Sequence, residues 1–137
     1  DIYRVRRMIE VQALRTAFPQ HPAVARMAAA VATAQDCVAA QDWLAVGNAN
    51  MEFHAAIVDL ADSPRLNELF TKLATELRLA FGLLDEPEMM HAPYVPMNGD
   101  LVAMVPRGAA AGRLDQYLLQ SERAVLAALT RLEGAHH

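Results

Sequence analysis

One cysteine, Cys37, is all the sequence has. A single thiol excludes an internal disulfide and fits a reducing, cytoplasmic setting. Aromatic residues make up only 6% of the chain and charged residues 20%. Strands draw on β-branched and aromatic side chains, so their scarcity argues against a sheet protein. Basic residues number 12 against 16 acidic, a formal net charge of -4, with no arginine-rich arm or basic stripe. This chain by itself is therefore a poor nucleic-acid binder. No secretory leader is visible, and no apolar run approaches the roughly 20 residues that a membrane-spanning helix needs. There is also no glycine-rich phosphate loop, no His-Glu-x-x-His and no nucleophile elbow, so the sequence offers no catalytic motif and reads as a non-enzyme.

What is present is apolar and helix-forming. The hydrophobic fraction is 54%, with alanine and leucine dominant. Such a composition predicts an all-α fold, an antiparallel bundle of six to seven helices. Its apolar surplus implies a face buried against a partner chain or around a central cavity. At 137 residues the chain is long enough for one domain with a true core. We place that domain over residues 1–134, with 135–137 as a tail or tag remnant. The chain opens on Asp1 directly into a helical pattern, which reads as the middle of a longer polypeptide.

Hydrophobic spacing predicts a first helix from Ile2 to about Phe18, with Val5, Met8, Ile9, Ala13, Leu14 and Ala17 inward and Pro19 as its stop. A second runs from Pro22 to about Ala40. Asp42 caps a short turn that Gly47 breaks, and a central helix follows from about Asn48 to Ala61. Ser63-Pro64 is a cap and first-turn pair that starts a fourth helix through Leu66, Leu69, Phe70, Leu73, Leu77 and Phe81. Asp85 to Met97 holds Pro87, Pro93 and Pro96 and reads as a loop or lid. Helix resumes near Asn98, breaks at Pro106 and Gly108, and ends with a long segment from about Ala109 to Leu132.

The central stretch carries the chemistry. Asn50 and His54 stand four apart on one helix face, beside the apolar stripe of Phe53, Ile57, Leu60 and Ala61. A carboxamide and an imidazole facing an interior need partners, since an unpaired buried polar group is costly. A side chain, a water, a metal or a ligand would serve. Arg6 either makes a surface pair with Glu10 one turn on or turns inward as a fork for a carboxylate. Arg78 has the same two options. Asn98 and Tyr117 are unremarkable singly, Cys37 reads as a small core residue, and His91, in the loop, reads as solvated.

Taken together the segments resemble a known family. Arg6-Arg7-Met8-Ile9-Glu10 resembles the opening "R-x-x-(I/L)-E" of the FCD domain. Asn50-x-x-Phe53-His54-x-x-Ile57 resembles that family's "D-x-x-F-H-x-x-(I/L)" helix. Leu60-Ala61-Asp62-Ser63-Pro64-Arg65-Leu66, Glu76-Leu77-Arg78 and Tyr117-Leu118-x-x-Ser121 resemble its later segments. The FCD domain is the C-terminal effector-binding domain of FadR-like GntR transcription regulators. The resemblance implies a homodimer binding a small organic acid or similar polar metabolite. It also implies a winged-helix DNA-binding domain, absent from this chain, through which DNA would be contacted. Many members hold a divalent metal with one aspartate and three histidines. Carried over, those positions fall on Asn50 and His54, and near Asn98 and Tyr117. Only His54 keeps a family ligand, so the metal is expected to be lost or weak and no cofactor is expected. Effector contacts would then come from Arg6, Asn50, His54, Arg78, Asn98 and Tyr117. Arg6 would be the carboxylate clamp, and Arg6→Ala is expected to abolish binding while leaving the bundle folded. A ligand-free dimerisation scaffold and a helical metalloprotein are the alternatives.

Overall fold

The computed structural model describes residues 1–135, so the expected tail lies outside the described residues from His136 onward. Within them are seven α-helices: α1 (Ile2–Arg15), α2 (Pro22–Ala39), α3 (Trp43–Asp59), α4 (Pro64–Leu84), α5 (Pro87–His91), α6 (Tyr94–Met104) and α7 (Ala110–Ala135), with a 3₁₀ turn at Val105–Arg107. No strand occurs among the described residues.

α3 is the axis of the bundle, touching α1, α2, α4, α5 and α6. It buries Val46, Ala49, Met51, Phe53, Ala56, Ile57 and Val58, residues that point in several directions, as expected of a helix with neighbours on most sides. α7 closes the far side against α1, α4 and α6. The main core joins Met27, Phe53, Ile57, Leu77, Leu101, Leu114 and Leu118. A smaller cluster of Ala34, Val46, Ala49 and Val95 packs with Cys37 and Trp43.

Local chemistry sets the boundaries. Ser63 caps α4 by accepting from the Leu66 amide, and Pro64 occupies the first turn, where a missing N–H costs nothing. His21 caps α2 through Nδ1, which accepts from the Ala23 amide at 3.0 Å. The Nε2 proton then goes to Asp62, 2.9 Å away.

Three expectations need correction. α1 stops at Arg15, and the inward stripe is Tyr3, Arg6, Glu10, Ala13 and Leu14, while Met8 is 69% exposed. The inward face is rotated from the purely apolar one because two charged residues neutralise each other inside. Gly47 does not break a helix; α3 runs through it without interruption from Trp43. The proline-rich stretch is not a loop, since it folds into α5 and the start of α6. Pro87 and Pro96 sit in first turns, where proline is tolerated.

Candidate functional site

Helical spacing on α1 brings Tyr3, Arg6 and Glu10 onto one face, turned toward α3 and α7. Arg6 Nε donates to Glu10 Oε2 at 2.7 Å, with Glu10 fully buried and Arg6 nearly so. The arginine is thus neither a surface residue nor an unpaired fork; its partner is an internal carboxylate. Glu10 Oε1 lies 2.5 Å from His54 Nδ1, and His54 Nε2 lies 3.0 Å from the Tyr117 hydroxyl. Tyr3 and Ser121 share a hydrogen bond of 2.7 Å between α1 and α7.

The charges follow from this arrangement. Burial alone would raise the Glu10 carboxyl, but Arg6 and His54 overcome it and hold the group below its ordinary range. Burial pushes the His54 imidazole down, Glu10 opposes this, and Arg6 pushes it down further. His54 is therefore neutral near pH 7 and has one N–H to give. The carboxylate can only accept, so Nδ1 carries the proton to Glu10 and Nε2 accepts from Tyr117 O–H. Burial raises the Tyr117 hydroxyl well above its usual range, which keeps it a donor. The cluster nets to zero charge: one cation, one anion, one neutral imidazole.

Asn50 belongs to a second network. Its Nδ2 donates to the His91 carbonyl at 2.9 Å, and its Oδ1 accepts from Asn98 Nδ2 at 3.3 Å. Asn98, 1% exposed, reaches the site only through Asn50, and its own Oδ1 is buried without a partner.

Between the two networks lies a chamber of about 20 Å³, walled by Arg6, Asn50, His54, Tyr117, Ser121 and His91, among others. That is room for about one water molecule. Of the residues expected from sequence, Arg6, Asn50, His54 and Tyr117 meet at its wall. Asn98 stands behind Asn50. Arg78 is exposed and lines a separate outer groove of about 290 Å³ with Leu44, Asn48, Phe81 and Asp85. A larger depression of about 520 Å³ between α2, α3 and α4 is open to solvent and flanked by the Arg26–Asp59 ion pair. It lies away from the buried polar groups.

The sequence paired Glu10 with Arg6 as a surface option, took Gly47 as a break and His91 as solvated, and placed none of the three at the site. His91 is not solvated: it is buried at 8% exposure. The signal for Glu10 was present, since Tyr3, Arg6, Glu10 and Ala13 repeat at helical spacing. Nothing local marked His91, because its burial depends on α5 folding back over α3.

A divalent metal does not fit this donor set. The His54 lone pair at Nε2 is taken by Tyr117, and Nδ1 bears the proton held by Glu10. Asn50 offers a neutral amide oxygen already bound to Asn98, a weaker ligand for a transition metal than a carboxylate or an imidazole. Among the described residues no three His, Cys, Asp or Glu side chains gather in metal-binding proximity.

The family model of the FCD domain matches residues 1–113. A solved structure from Rhodococcus sp. RHA1, assigned as a GntR transcriptional regulator, superposes with a TM-score of 0.87 at 32% identity. The match covers 93% of this chain and 63% of that one, so the chain spans less than two thirds of the solved protein. No curated protein matches the chain.

Proposed function

The chain belongs to the FCD domain family, and from that premise we propose that it is the ligand-sensing, dimerising domain of a GntR-type transcription regulator, without a resident metal. It reads a small organic acid or similar polar metabolite and passes the result to a DNA-binding domain outside this chain. Bound and unbound states would then differ in population, each favoured by its own contacts.

The observation that carries the reading is the buried network Arg6–Glu10–His54–Tyr117 beside a polar chamber. Burying an ion pair commonly stabilises a fold no more than a hydrophobic replacement would. A bundle that only had to dimerise would gain nothing from it. A sensor gains a polar wall: Arg6 spends one donor, Nε, on Glu10 and has guanidinium N–H groups left for a carboxylate oxygen.

The small chamber volume favours a second reading, a scaffold whose interior is filled by its own side chains. Thermal unfolding with a panel of small mono- and dicarboxylic acids separates the two. A ligand at 100 times its dissociation constant stabilises by about 2.7 kcal/mol, a shift of several degrees. We expect at least one acid to produce it, and no shift from any acid would support the scaffold. Metal analysis of protein purified without chelator is expected to find far less than one ion per chain. A stoichiometric metal would overturn the metal-free part of the reading.

A further inference from the structure

The outer groove and the inner chamber share four wall residues: Gly47, Met51, Phe81 and His91. These four are the partition between them. The His91 imidazole lies so close over Gly47 that a Cβ there would meet its Nε2 at 2.7 Å and its flanking carbons at 2.9 Å. Its other neighbour is Phe81, edge to face at a centroid separation of 5.0 Å. Among the described residues no protein group hydrogen-bonds the ring. The residue is anchored through its backbone instead, by Asn50 Nδ2 on the His91 carbonyl.

The geometry points to His91 as a removable stopper: its imidazole, seated on Gly47, stands between the polar chamber and the outer groove, and a ligand enters by displacing it. This rests on the sensor reading above. The inner chamber as it stands holds about one water, so a carboxylate cannot reach Arg6 without making space. The imidazole is the side chain whose departure joins the chamber to a groove of about 290 Å³. Leaving breaks no side-chain hydrogen bond, only van der Waals and aromatic contact, so it is cheaper than moving Tyr117 or His54. The segment that carries it is short, held by the Asn50 bond to its last residue and by the Glu86–Arg131 ion pair at its start. α5 has five residues, its N-cap Glu86 makes no capping bond, and the chain enters it through Asp85 at φ 51. The ligand this admits has a polar head about the size of the ring it replaces. The rest of it would lie in the groove along Leu44, Met51 and Phe81, with Arg78 at the mouth.

The test needs no ligand. The His54 Nδ1 proton, held by Glu10, exchanges with bulk solvent no faster than water passes in and out of the chamber, and ring-nitrogen NMR reads its rate. His91→Ala removes the stopper, and Gly47→Ala pushes it off its seat. Both are expected to speed exchange of that proton by at least about tenfold, while core amides of α3 and α7 keep their protection. An unchanged rate in either well-folded variant overturns the stopper. So does acceleration shared equally by the core amides, which would report general loosening. The sensor reading itself stands or falls with the acid panel, whatever this rate does.

Discussion

At the scale of single residues the decisive contact is Arg6 on Glu10. The sequence showed the i,i+4 pair, and its burial changes what a truncation does. Arg6→Ala would leave Glu10 fully buried with only His54 for a partner. Removing one member of a buried ion pair costs about 3–5 kcal/mol, a large part of a small domain's stability. The earlier expectation of a folded but non-binding variant therefore gives way to marked destabilisation. The double replacement Arg6→Met with Glu10→Gln keeps similar volume, leaves no orphan charge and still offers an amide oxygen to the His54 Nδ1–H. It is expected to recover most of the loss in urea unfolding. If the double variant is no more stable than Arg6→Ala, the loss is one of packing rather than charge. The identity of the pair was thus legible, but its environment was not. A helical wheel ranks residues by polarity, and here two opposite charges cancel and go inside together.

At the scale of elements, capping and proline signals placed α2 and α4 well, because Pro22, Ser63 and Pro64 act within one turn of themselves. Gly47 misled, since glycine in a helix reads locally as a break. Its cause is distant: only the absence of a Cβ lets the His91 ring lie against α3. α5 was missed for the same reason, since five residues make a helix only with α3 and α4 beneath them. Gly82 on α4 supplies the contrast, as a Cβ added there meets nothing within 4 Å. Gly82→Ala should then stabilise by about 0.5–1 kcal/mol through backbone entropy and helix propensity. Gly47→Ala should show no such gain in the same thermal melts, because the imidazole must shift. Equal stabilisation at both positions would mean that the Gly47–His91 contact carries no weight.

At the scale of the whole molecule, three buried titrating groups act in one direction. Burial lowers the imidazoles of His54 and His91 from the ordinary value of 6.5, in His54 against the pull of Glu10. Glu10 is lowered from 4.5, Arg6 and His54 outweighing its burial. In each case the unfolded chain binds a proton that the folded chain resists, so stability rises with pH across the interval between the two pKa values. Acidification should therefore weaken the fold in two stages. The histidine contribution, fully present above about pH 6.5, fades first as pH falls toward the folded-state values. The Glu10 contribution is present above 4.5 and fades last, and its loss leaves Arg6 as a buried cation without a counter-charge. These groups tie α1, α3, α5 and α7 together, so the loss should appear as one cooperative shift rather than as fraying of an end. The urea midpoint is expected to fall steadily from pH 7 through pH 5, and His91→Ala should flatten the upper part of that slope. A midpoint that is level or rising over the same range would mean that His54 and His91 are solvated in the folded chain, and the buried polar network would be ruled out with them.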